Sequence, residues 1–82
     1  MDRGYGIAKV EELNHLLQAE VKHMFHKAHK TEKDFHYFDT TRGEVNAKLI
    51  RSTDGVEIEK IFVEQHNETK KILVPNEYLE LL

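Results

Sequence analysis

Apolar residues at 7, 10, 13, 17, 21, 24, 25 and 28 recur at intervals of three and four. At about 100° per residue, Ile7, Val10, Leu13, Leu17, Val21, Met24, Phe25 and Ala28 fill one face roughly 120° wide. This spacing predicts one amphipathic helix over residues 7–30, with Gly4 and Gly6 marking its start. Glu11 and Glu12 lie early and Lys27 and Lys30 late, which complements the helix dipole. About 24 residues at 1.5 Å each give a rod of roughly 36 Å. Strands of five to seven residues span only about 17–24 Å. One end of such a helix, with Phe25 and Ala28, would overhang a small sheet and need another surface.

Beyond Lys33 the period changes from 3.6 to two. Residues 34–40 place Phe35 and Tyr37 on one side of a strand, with His36 and Phe38 on the other. Thr41-Arg42-Gly43 turns the chain into residues 44–52, where Val45, Ala47 and Leu49 face oppositely to Asn46, Lys48 and Ile50. Thr53-Asp54-Gly55 is a hairpin turn, because Asp-Gly takes positive φ cheaply. In residues 56–65, Val56 and Ile58 share one parity while Ile61 and Val63 take the other. A bulge near Glu59 or Lys60 would restore a common inward face. His66-Asn67-Glu68 makes another tight turn before a fourth strand at 69–74, which Pro75 ends. Asn76 can cap a short C-terminal helix over residues 77–82; a 3-10 turn followed by a strand is the other reading.

The expected fold is therefore α+β, a long N-terminal helix packed on a four-stranded antiparallel meander, in one domain spanning residues 1–82. Phe38, Ile50, Leu73 and Phe62 are expected to point away from the helix. The same element order is similar to that of Sm-like or SH3-like small barrels carrying an N-terminal helix. In that layout Val74-Pro75-Asn76-Glu77-Tyr78 would join the last two strands. The resemblance lies in element order, and no RNA-binding signature of the family accompanies it.

Composition narrows the chemistry. The chain has no cysteine, so disulfides and thiolate metal sites are excluded. It lacks an apolar run of bilayer length and a signal-peptide core at its start, so a cytoplasmic location without membrane association is expected. Net charge is -3, but residues 22–33 hold four lysines against Glu32 alone. The back of the predicted helix also carries His15, His23, His26 and His29. Lys22, His23, His26, Lys27, His29 and Lys30 form a candidate basic binding patch, and nucleic acid is the alternative partner for it. No HExxH pairing or carboxylate motif joins these histidines, so no metal and no cofactor is assigned.

Catalytic residues are not assigned either. Ser52, the one serine, adjoins a hairpin, Asp54 has a turn role, and the four glycines sit at turns or the helix entry. Glu57, Glu59 and Glu64 form an acidic strand face suited to a basic target. The overhanging helix end and the second apolar side of the sheet predict a small regulatory or adaptor protein. It would act by protein–protein binding and self-associate as a homodimer, with Phe25, Ala28, Phe38, Ile50, Phe62 and Leu73 at the interface.

Overall fold

The computed structural model describes residues 5–26 and 31–80. Strand β1 (Tyr5–Ile7) leads through a 3-10 turn (Val10–Glu12) into helix α1 (His15–His26). Strands β2 (Glu32–Asp39), β3 (Gly43–Arg51), β4 (Gly55–Phe62) and β5 (Glu68–Pro75) follow, then the short helix α2 (Asn76–Leu79). The sheet has five strands in the order β1-β5-β4-β3-β2. The meander from β2 to β5 is antiparallel, as the period-two pattern predicts, and β1 adds a parallel edge against β5. Among the described residues the two ends of this order, β1 and β2, do not pair with each other, so the sheet described is open and not a closed barrel.

Among the described residues the helix covers His15–His26, half the predicted length, and its late start has a local reason. Asn14 accepts the Leu16 N–H at 2.8 Å and so starts the helix at His15. Leu13 before it is extended, at φ -87° and ψ 160°. Lys9 donates its N–H to the Glu12 carboxylate at 2.9 Å, which closes the 3-10 turn on itself. Val10, Leu13, Leu17, Val21 and Met24 are nonetheless all buried. The apolar spacing located the core correctly, but turn and helix share it. Ile7 belongs to β1, not to that stripe, and is 59% exposed.

Twelve residues of helix span about 18 Å, while strands of eight or nine residues reach about 26–30 Å. Among the described residues, the rod is thus shorter than its platform. The expected overhang is absent there, and Phe25 packs partly buried against the core. Ala28, Lys27, His29 and Lys30 lie outside the described residues.

No bulge interrupts β4. Its pairing with β3 runs without a break from Val45–Phe62 to Arg51–Val56. Val56, Ile58, Lys60 and Phe62 therefore share the helix side, and Glu57, Glu59 and Ile61 share the other. Phe62 is 3% exposed and lies in the core, contrary to its expected outward direction. The Arg42 guanidinium caps its ring at 3.6 Å. The core is completed by Tyr37, Val45, Ala47, Leu49, Ile72, Val74 and Leu79.

The tail forms a helical turn, and the fifth strand comes from the opposite end of the chain. Asn76 fastens it. Its Nδ2 donates to Thr53 O at 2.7 Å, its backbone N–H to Asp54 O at 3.0 Å, and its Oδ1 accepts from Arg51 at 3.2 Å. No helix among the described residues is long and apolar enough to cross a membrane.

Gly55 makes this closure possible. At φ +150° it lies against the Val74 carbonyl and within 2.9 Å, at its notional Cβ, of Pro75 Cα. Gly55→Ala is expected to cost about 2 kcal/mol or more, read as a lower urea midpoint with an unchanged slope.

Candidate interaction face

The helix, the 3-10 turn and α2 cover one side of the sheet; the other side carries its own organised pattern. Cross-strand register places Lys71, Glu59, Lys48 and Asp34 side by side on four neighbouring strands. Charge thus alternates positive, negative, positive, negative across β5, β4, β3 and β2. Lys48 also approaches Glu32 at 3.9 Å. Each member of the row has opposite charge beside it, the favourable arrangement for cross-strand pairs.

Apolar side chains flank that row. Toward the Gly55 end lie Ile7, Leu73 and Ile50, interrupted by Glu57. On the other side lies Ile61, beside Asn46. Phe38 is 67% exposed near the far end of β2. Ile50, Ile61 and Leu73 are half-buried. A depression of about 320 Å³ lies among Asp34, His36, Asn46, Lys48, Glu59 and Ile61. Among the described residues, Asn46 Oδ1 at this place is buried with no hydrogen-bond partner. An unpaired buried carbonyl is costly, and in register Asn46 stands between His36 and Ile61.

Of the residues singled out in the sequence, Phe38, Ile50 and Leu73 share this face, Ile50 and Leu73 toward its Gly55 end and Phe38 at the other. Phe25 does not. It sits on the opposite side of the sheet, with the Arg51 guanidinium 4.7 Å from its ring and His26 edge-on at 5.0 Å. Lys22, His23 and His26 are exposed on α1, away from the sheet. Among the described residues, no three His, Asp or Glu side chains gather as a metal-binding group. The expected acidic surface is also broken up. Glu59 lies between two lysines, and Glu64 turns back to accept the Glu44 N–H at 3.3 Å.

Sequence reasoning missed Ile7 and Ile61 because it placed both toward the core. It missed the charge row altogether, since the four residues become neighbours only through pairing. The readable signal was Phe62, which shares the parity of Val56 and Ile58 and so fixes both faces of β4 without a bulge, at the expense of placing Lys60 inward and Ile61 outward.

The helix side carries an opposed feature. Lys60 is half-buried and pairs directly across from Lys70. Burial first, and then the Lys70 charge, push the Lys60 ammonium below the ordinary lysine value. Asp39, some way along the same face, partly counters this; its own carboxyl is held low by accepting the Arg42 and Thr41 N–H groups at 2.9 and 2.8 Å.

Because the folded state disfavours protonated Lys60, stability should rise as pH climbs through its lowered pKa toward the ordinary lysine value. Lys60→Met removes the like-charge pair and should add about 0.5 kcal/mol at neutral pH, seen as a melting temperature raised by about 3 °C. The alkaline gain in stability should disappear in this variant.

The chain matches no protein-family model, no curated protein and no solved structure.

Proposed function

We propose that this chain is a small, non-catalytic regulatory or adaptor protein that works by protein–protein binding, with the helix-free side of its sheet as the contact surface and a homodimer as its working form. The observation that carries this reading is the set of apolar side chains on a side that no element among the described residues covers: Ile7 and Phe38 well exposed, with Ile50, Ile61 and Leu73 half-buried. An antiparallel sheet can leave one side to water, but that side then normally reads polar. Here aliphatic residues stand on both sides of a charge row that neutralises itself. Apolar groups supply affinity and fixed charges supply register, the division found in specific interfaces.

Size agrees with this. Four strands about 25 Å long and the three-residue β1, about 10 Å long, set about 4.8 Å apart, give a face of roughly 530 Å². Two such faces bury about 1,060 Å², just above the roughly 1,000 Å² that separates a biological contact from incidental packing.

Sedimentation equilibrium tests the reading. The protein should approach twice the 9.7 kDa chain mass as its concentration is raised. Ile50→Asp, at a half-buried position on the face, should weaken association by roughly tenfold or more while its circular dichroism stays unchanged. A monomer persisting into the millimolar range would overturn it.

A further inference from the structure

The charge row also specifies how a second copy would be placed. We infer that two chains pair their helix-free faces about a two-fold axis that runs parallel to the strands and passes between β3 and β4, so that Glu59 faces Lys48 of the other copy and Lys71 faces its Asp34. This inference rests on the proposed use of that face and adds its symmetry and its charge pairs.

The argument is one of self-complementarity. A two-fold interface brings a surface against itself, so each residue meets either itself or one other residue reciprocally. The row reads Lys71, Glu59, Lys48, Asp34 from β5 to β2. An axis parallel to the strands sets the row against its own reverse. With the axis between β3 and β4, all four facings join opposite charges. An axis running along β4 would set Lys71 against Lys48, and one along β3 would set Glu59 against Asp34. An axis perpendicular to the strands and lying over the row would put every charge against itself. Shifting to the gap between β4 and β5 keeps Lys71 opposite Glu59 but leaves Lys48 and Asp34 without facing partners in the row. The central placement uses the whole row.

Each charge then has opposite neighbours both beside it in its own sheet and across the interface. Such a checkerboard offsets the desolvation that makes isolated buried ion pairs unfavourable. The aligned packing of sheets, with strands about 30° apart, is compatible with an axis along the mean strand direction. In this placement the flanking Ile50 and Leu73 lie opposite Glu57 and Glu32 of the other copy, and Ile61 opposite its Asn46, so aliphatic side chains border the charge row without pairing with one another.

The test uses two single variants, K48E and E59K. In a K48E homodimer, the introduced carboxylate meets Glu59 of the other copy, twice by symmetry. In an E59K homodimer, the introduced ammonium meets Lys48 of the other copy, again twice. Each variant alone should therefore dimerise roughly tenfold or more weakly than the parent. When the two are mixed, every facing becomes opposite in sign. Native mass spectrometry should then show a one-to-one heterodimer in excess over either homodimer. Asp34→Lys mixed with Lys71→Glu should behave alike and serves as an independent pair. A parent chain that dimerises, with mixtures no better than the single variants, would overturn this geometry while leaving the use of the face intact. A parent that stays monomeric would remove both. Far-ultraviolet circular dichroism of each variant verifies that folding is retained.

Discussion

The hydrogen-bond ladder between β3 and β4 is the constraint on which the surfaces of this molecule depend. It runs unbroken from Val45–Phe62 to Arg51–Val56, although the side chains along β4 favour a slip. Val56 and Ile58 ask for one parity, Ile61 for the other. A bulge would have reconciled them at the expense of ladder bonds and of a local bend. The chain instead keeps the ladder and accepts two misfits. Lys60 is drawn to the helix side, where its long stem packs and its ammonium is half-buried beside Lys70. Ile61 is sent to the open side. Those two consequences share one cause, and they define the electrostatic defect on one face and part of the apolar surface on the other.

A second point of control lies at the Gly55 end of the sheet. Arg51 reaches the Ser52 and Gly55 carbonyls, the Asn76 side chain and the Phe25 ring. One guanidinium thereby joins the end of α1, the β3–β4 hairpin and the start of α2. Its planar donors suit this multiple role, which an ammonium could not fill. The opposite end is held by the analogous Arg42, which caps Phe62 and bonds to Gln65 and Glu68. With only a small core, a fold of this size gains much from such side-chain ties between distant segments.

Much of this was legible in the sequence, and the failures have physical reasons. The buried positions Val10, Leu13, Leu17, Val21 and Met24 could be read directly, because a buried stripe keeps its spacing whether helix or turn presents it. Where the helix began could not. That depends on Asn14 competing for the backbone as a cap and on Glu12 folding back to Lys9, both local choices that periodicity does not register. Strand β1 was hidden for a related reason: three residues are too few to show a period, and its pairing with β5 spans most of the chain. The turns were plainer. Gly55 adopts positive φ at the predicted hairpin, and His66 and Asn67 both reach φ 60° in the turn before β5. The face followed from the strands only in part, since residues far apart in sequence become neighbours through register alone.

Register also bears on why the open face, rather than an open edge, suits association. Strand β2 is a long edge among the described residues, and the outward-facing backbone groups of its alternate residues would template another strand. Its first three residues, Glu32, Lys33 and Asp34, are charged, and Lys33 is tied to Glu20 on the helix at 2.5 Å. Charges of this kind oppose edge-to-edge growth, which would otherwise be open-ended at the second free edge. The Asp34 carboxylate has a further use in the proposed dimer, where it terminates the alternating row and faces Lys71 of the other copy. The same residue thus discourages one mode of association and fixes the register of the other. A two-fold pairing of faces closes on itself, whereas addition at free edges does not. An alternating row is therefore suited to limiting assembly to two copies: it rewards its own reverse and penalises the placements with an axis along β3 or β4.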